Sequence, residues 1–380
     1  MSSMNSEASF LDKEDVAKQV LRNCAVGDSR HGGSHSVCGL ALRLRNLYKW
    51  ENRLDPWVEK ESSDLLEWIG EKEEQWESLL EENFREIVVR GTAFDPFDAE
   101  GINRELAPQG LFYGAGYLYG LRPTFFLAEM EQRLAVEGFP VYILGRELAR
   151  DLVTVPAHTQ DNAVVVRKDS GRHFLWDQIF FLRKSGKAAL HFALERLGLK
   201  DSSPEAVKGA FGTVFSAQMD AYIRHELGEL MDTVLDRDLW REIIGAYPNT
   251  AVELLARTVK DLLADTNEHG TLRHMARVRG SASLGFYVAF FDGLAKKLFP
   301  EIVSGFEEFV DTEDWRAIEK AIAQGRRRAQ DYAETLSRVF LVGKERNDLE
   351  WAEAEIDRIL LSPLGLGKGC VPAGSKPPAS

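Results

Sequence analysis

The sequence predicts a mainly α-helical fold with a multi-helix, bundle-like architecture and a small β-hairpin or sheet element near residues 140–168. Apolar residues recur at helical spacing along most of the chain, as they do in amphipathic helices. Short β-rich runs bounded by turn residues occur at 141–144, 152–155 and 163–166, and this pattern is typical of strands. The predicted strands therefore fall in one part of the chain.

Signals for helix starts and ends locate the helices. Pro204 suits a first helical turn and Thr250 is a good N-cap. The glycine-rich stretch 110–120 has no GxGxxG spacing, so we expect a close-packed helix or turn there and not a phosphate-binding loop. We predict helices at 10–23, 37–50, from 62, 174–197, 204–235, 250–265, 271–279, 283–298, 315–339 and 348–361.

Composition changes indicate where regions of the chain begin and end. Residues 92–108 are rich in Asp, Pro, Gly and Asn, which suits a linker or long loop, and the last residues are rich in Gly, Pro and Ser. We expect a helical N-terminal region over 10–91, a mixed α+β middle region over 92–200, a helical C-terminal domain over 201–361 and a disordered tail over 362–380.

The charge of the chain bears on its partners. The 380 residues carry a formal charge of −13, which argues against binding to nucleic acid or to anionic membranes, because both depend on Lys and Arg. There is no apolar run of signal-peptide or membrane-span length, and three cysteines do not suggest a disulfide framework. The sequence therefore predicts an acidic, cytoplasmic protein, and it leaves the oligomeric state open.

The leading candidate site lies in residues 218–229. On a helix, with about 100° between residues, His225 and Glu229 lie about 40° apart and Tyr222 falls between them. An imidazole and a carboxylate one turn apart suit a shared metal ion or proton, and Glu226 or Tyr222 would serve as proton donor or acceptor. The competing interpretation is an ordinary hydrogen bond between His225 and Glu229 on a helix surface.

A second segment offers the missing ligand. Asn267 and Gly270 are good helix terminators, so a break there would place His269 in a loop and His274 in the first turn of the next helix. Either histidine would then be the third ligand of an iron, manganese or zinc ion bound by His225. Alternatively, the polar residues here only cap helix ends and His274 is a satisfied interior histidine.

A weaker candidate site lies near the N-terminus. Cys24, His31, His35 and Cys38 are four metal-ligand types within 15 residues of a chain that has three Cys and eight His. Tetrahedral zinc would suit this set, although the spacing matches no standard zinc finger. The alternative is two buried cysteines that act as small apolar residues beside a His- and Gly-rich loop.

Two runs, CGLALRLRNLYKWE at 38–51 and YIRHELGE at 222–229, resemble an uncharacterised bacterial protein family of unknown function. The resemblance implies no activity. The function predicted from the residues is that of a metal-dependent helical enzyme acting on a small-molecule substrate. The alternative is a metal-free helical scaffold or partner-binding protein whose polar clusters only cap and pair helices.

Overall fold

The computed structural model describes residues 12–34 and 36–366. Seven strands lie in its first half: β1 Ile87–Val89, β2 Thr92–Phe94, β3 Leu111–Tyr117, β4 Pro123–Val136, β5 Phe139–Arg150, β6 Ala157–Gln160 and β7 Ala163–Arg167. The α-helices of the described residues are α1 Lys13–His31, α2 Val37–Glu51, α3 Ser62–Glu77, α4 Ala99–Leu106, α5 Lys168–Phe180, α6 Lys187–Arg196, α7 Pro204–Met231, α8 Arg237–Ala246, α9 Ala251–Thr266, α10 Thr271–Val278, α11 Ser281–Phe290, α12 Gly293–Leu298, α13 Glu301–Thr312, α14 Trp315–Glu345 and α15 Leu349–Ile356.

The predicted mainly helical fold is confirmed, but the sheet is larger than expected. Strands β3, β4, β5, β7 and β6 form one five-stranded sheet in that order, in which only β5 and β7 pair in parallel. Strands β1 and β2 form a separate antiparallel hairpin. The long β4 and β5 are joined at Glu137 and Gly138, which both have positive φ, as a two-residue type I′ turn requires.

The prediction of a helix or turn at residues 110–120 was wrong, because strand β3 occupies most of that stretch. Gly114 pairs directly with Phe126 of β4, and a Cβ at Gly114 would lie 1.8 Å from the Phe126 ring. The glycine therefore makes room for an aromatic ring packed across the strands. The spacing of glycines does not by itself distinguish this role from close helix packing.

Further elements also differ from the expectations: the helix predicted at 283–298 is divided into α11 and α12, and α13 was not predicted. Residues 152–155 form no strand, and the expected linker at 92–108 contains β2 and α4. The helix predicted at 174–197 is divided into α5 and α6. At that break, a Cβ on Gly186 would lie 2.2 Å from the backbone oxygen of Ala289, so α11 approaches too closely for a larger residue.

Different helices cover different parts of the sheet. Val16 and Val20 of α1 pack with Phe125 and Leu127 of β4. Ile223 of α7 packs against apolar side chains of β5 and β7. The largest apolar core is formed by helices α5 to α15. None of the described helices is long and apolar enough to cross a membrane.

Helix α7 thus lies between the sheet and the helical core. Ser203 caps its start by accepting a hydrogen bond from the backbone of Ala206, and Pro204 occupies the first turn. Helix α9 begins at the predicted cap, because Thr250 accepts a hydrogen bond from the backbone of Glu253. These two helices carry the candidate site.

Candidate metal centre

A close approach between α7 and α9 brings the polar stripe of α7 against α9. Gly228 of α7 is buried, and a Cβ at this position would lie 2.2 Å from the backbone oxygen of Ala264. The side-chain amide of Asn267 donates a hydrogen bond of 2.8 Å to the Gly228 carbonyl. Any side chain larger than hydrogen at residue 228 would therefore push the two helices apart.

Both ring nitrogens of His225 face carboxylates. Nδ1 lies 2.8 Å from Oδ1 of Asp265, and the other oxygen of Asp265 accepts a hydrogen bond of 2.9 Å from the hydroxyl of Tyr287. Nε2 lies 3.7 Å from Oε1 of Glu229 and 4.0 Å from Oδ1 of Asp261. The Nδ1 edge of the ring is thus oriented by the buried carboxylate of Asp265. The Nε2 edge points at the carboxylates of Glu229 and Asp261.

Three of these residues have possible metal-ligand atoms that lie close together. One nitrogen of His225 and one oxygen each of Glu229 and Asp261 lie within 4.8 Å of one another. Metal bonds of about 2.0 to 2.2 Å place ligand atoms about 3 to 3.5 Å apart, so small side-chain shifts would suffice to bind an ion. Without an ion, the second oxygen of Glu229 pairs with the ammonium group of Lys260.

The accumulated carboxylates change the protonation of the site. Burial alone would lower the pKa of His225, but the charge and hydrogen bond of Asp265, with help from Glu226 and Asp261, raise it well above its ordinary value. Burial, together with repulsion from Glu229, raises the pKa of Glu226 to about 8. A carboxyl group with this pKa is mostly protonated at neutral pH.

Two neighbouring polar groups of α7 are buried without a hydrogen-bond partner in the described chain. They are the hydroxyl of Tyr222 and the amide nitrogen of Gln218. Burial raises the pKa of Tyr222, so the phenol stays protonated. Tyr222 packs against the large helical core. The structure gives no contact between it and the ring of His225.

Neither predicted third ligand belongs to this group. Nδ1 of His269 lies 2.5 Å from Oε2 of Glu137, at the turn between β4 and β5. Nε2 of His274 lies 2.6 Å from Oδ2 of Asp220, two residues before Tyr222 on α7. The helix break after Asn267 occurs as expected, but each histidine is turned to a different carboxylate.

The third donor is instead Asp261, which the sequence reasoning did not single out. Asp261 and Asp265 are four residues apart on α9, so they share one face of that helix. A pair of acids with this spacing at the end of a largely buried helix was the available signal. Asp265 lies behind the imidazole as its hydrogen-bond partner.

The N-terminal Cys and His residues do not form a site within the described chain. The thiol of Cys24 is buried and donates to the carbonyl of Phe125, with 3.2 Å between sulfur and oxygen. Cys38 is exposed on α2. Among described residues, Cys24, His31 and Cys38 make no shared ligand group, and His35 lies outside the described residues. Because the thiol of Cys24 is buried and that of Cys38 is exposed, the two cysteines do not face a common site.

The candidate metal centre borders a cavity. Glu229, Lys260 and Trp240 line a small space of about 80 Å³, which shares residues with a larger cavity of about 450 Å³. A further cavity of about 900 Å³ lies elsewhere, between residues of α1, α2, β5 and α5, and its walls mix acidic and basic groups. Glu229 thus lines the small space, and Lys260 and Trp240 line both this space and the larger cavity.

Comparison with known proteins identifies relatives but no activity. The family model described as the N-terminal domain of a family of unknown function, DUF6866, matches residues 15–167, and the model of the C-terminal domain of the same family matches residues 172–358. No curated protein and no solved structure matches the chain. The two matches meet near the end of β7 and the start of α5.

Proposed function

The chain belongs to this family of unknown function, and we propose that it is a metal-dependent enzyme whose ion is bound by His225, Glu229 and Asp261. The observation that carries the proposal is the orientation of His225. A metal-binding histidine almost always donates its second ring N–H to a carboxylate, a backbone carbonyl or water, which fixes the tautomer. Asp265 occupies that position, and Nε2 faces the two other ligands.

The ligand set narrows the choice of metal. One imidazole with two carboxylates suits iron, manganese or zinc better than copper, which prefers more nitrogen or sulfur, or calcium, which prefers oxygen alone. Three protein ligands leave coordination positions for water or substrate, as in catalytic sites. An ion there would act as a Lewis acid on a bound substrate oxygen.

Glu226 is the candidate for proton transfer. It is buried beside His225 on α7, and its pKa of about 8 keeps a proton available near neutral pH. General acids and bases work best when their pKa lies near the working pH. Tyr222 is the second candidate, because its buried hydroxyl has no protein partner in the described chain. We assign Glu226 the role of proton donor and acceptor for a substrate bound next to Glu229.

The competing proposal is a metal-free scaffold. It is supported by the same contacts, since Lys260 already pairs with Glu229 and Asp265 with His225. In that case the cluster would only stabilise the packing of α7 on α9. The two proposals differ in whether the protein retains a metal.

The test is elemental analysis of untagged protein after expression in medium supplemented with iron, manganese and zinc. We expect roughly stoichiometric metal in the wild type and none in His225→Ala. The matched control is His274→Ala, which removes another histidine paired with a carboxylate and should keep the metal. Wild-type protein without metal, or His225→Ala with full metal content, would contradict the proposal.

A further inference from the structure

The cavity of about 450 Å³ beside the metal centre has basic walls. It lies between strands β3, β6 and β7 and helices α8 and α9, and no acidic residue is among its described lining. Its cationic lining residues are Arg167, Arg237, Arg241, Arg257 and Lys260. In a chain with a formal charge of −13, a lining whose charged groups are all cationic favours an anionic ligand.

Two of these cations, Arg167 and Arg257, are fixed by acids that lie behind the wall. Nε of Arg167 is 2.7 Å from Glu147, and Nη2 of Arg257 is 2.8 Å from Glu253. Both acids have fully buried side chains. Their salt bridges hold the guanidinium groups in position, so little ordering would be needed when an anion binds.

Three buried side-chain nitrogen atoms of the lining have no hydrogen-bond partner in the described chain. They are Nη2 of Arg167, Nδ1 of His158 and Nε1 of Trp240. The side chain of Arg167 is 1% exposed. An unpaired buried polar group is destabilising, so three in one cavity point to a ligand that supplies the missing partners.

Two aromatic rings of the wall lie against its cations. Phe126 lies under the guanidinium of Arg167, with 4.0 Å from Cζ to the ring centroid. The ring centroid of Trp240 lies 4.4 Å from Nζ of Lys260. A Cβ added to Gly116 would meet no atom within 4 Å, so this part of the wall is open. The volume is within the range of about 300 to 1,000 Å³ found for small-molecule sites.

We propose that this cavity binds a small organic anion that has a phosphate or carboxylate group and a flat apolar body. The arginines would bind the anionic group, because the planar guanidinium matches the oxygens of phosphate and carboxylate. The aromatic wall would contact the body of the ligand. This proposal does not depend on a metal ion at His225.

The binding test uses metal-free, chelator-treated full-length protein and three fluorescent probes that differ only in their polar group. Naphthyl phosphate and naphthoate are anions, and naphthol is the uncharged control. We expect at least one anion to bind and naphthol to bind more weakly or not at all. Binding by phosphate, by carboxylate or by both defines the ligand class. Equal binding of naphthol, or binding of none of the three, would overturn the proposal.

A pair of variants locates the bound probe. Arg241 and Arg358 both make exposed ion pairs to an acid three residues earlier on the chain, but only Arg241 lines the cavity. Arg241→Gln should weaken binding of the anion about tenfold or more, as loss of a charged hydrogen bond does. Arg358→Gln should bind like the wild type.

A third variant tests the unpaired donor. Trp240→Phe keeps an aromatic ring and removes Nε1–H, so it should weaken anion binding about two- to tenfold. Circular dichroism checks that each variant is folded. Wild-type affinity in both Arg241→Gln and Trp240→Phe would show that the probe binds elsewhere, and it would overturn the assignment of this cavity.

Discussion

Asp265 fixes the tautomer of His225. A carboxylate only accepts hydrogen bonds, so Nδ1, which lies 2.8 Å from Oδ1 of Asp265, must carry the hydrogen. In the neutral imidazole Nε2 then holds the lone pair, and Nε2 is the nitrogen that faces Glu229 and Asp261. Nε2 is therefore the nitrogen at which the proposed ion would bind, in place of the proton that the raised pKa of His225 favours.

Asp265→Asn should therefore weaken metal binding without removing a ligand. The amide keeps the size of the side chain but loses its charge and no longer specifies the tautomer. Loss of such an orienting partner typically costs about 10- to 100-fold in metal affinity. The measurement is a competitive zinc or manganese titration. Asp220→Asn alters the equivalent partner of His274, and its affinity should equal that of the wild type.

Lys260→Met should have opposite effects on the two sites. Lys260 pairs with Glu229 and also lines the basic cavity. Without the competing ammonium group, Glu229 is free to bind an ion, so metal affinity should rise. Binding of naphthyl phosphate should fall, because a cation is lost from the wall. Both affinities are measured by titration.

The control for that experiment is Lys344→Met, which removes a surface pair with Glu242. It should change neither affinity. If metal affinity falls in Lys260→Met, then Lys260 does not compete with the metal ion for Glu229.

Gly228→Ala should destabilise the protein. The added methyl would lie 2.2 Å from the Ala264 oxygen, and overpacking of this kind costs about 1 to 3 kcal/mol. It should also weaken metal binding, because α7 and α9 must separate. Gly212 lies on the same helix with open space around its Cβ, so Gly212→Ala should stabilise the protein by about 0.5 to 1 kcal/mol. Urea unfolding measures both, and equal stabilities would contradict the close helix contact.

The free energy of unfolding should decrease in mild acid, because His173 is buried in its neutral form. Burial, with Arg150 nearby, lowers the pKa of His173 to about 3, whereas an unfolded histidine has a pKa of about 6.5. Below pH about 6.5 only the unfolded chain takes up the proton. The stability present above that pH is therefore lost as the pH falls toward 3, by about 1.4 kcal/mol per pH unit.

The check is urea unfolding at neutral pH and about one pH unit below the pKa of free histidine. His173→Gln should lose about 1 kcal/mol less than the wild type between the two conditions. His191→Gln, which changes an exposed histidine, should lose as much as the wild type. The same loss in His173→Gln as in the wild type would contradict the shift.

Local patterns were enough to predict the main helices and one half of the candidate centre. The spacing of His225 and Glu229 is a property of α7 alone, and the cap at Thr250 is a property of α9 alone. Both follow from short-range geometry.

The partners of these residues depend on packing over long sequence distances. His269 is paired with Glu137, 132 residues earlier, because the turn between β4 and β5 reaches the end of α9. Asp261 was missed because nothing in α9 itself indicates that α7 packs against that face. Gly228, the glycine that permits this packing, lies within the predicted helix. Its neighbours in the sequence do not indicate that it contacts another helix.

The most direct measurement is a crystal structure of the protein soaked with manganese or zinc, with anomalous scattering recorded at the metal edge. We expect one strong peak between Nε2 of His225 and carboxylate oxygens of Glu229 and Asp261, at about 2.0 to 2.2 Å from each. Nδ1 of His225 should remain bonded to Asp265, and Lys260 should have left Glu229. A crystal with no peak at this position, or with its only peak at other residues, would contradict it.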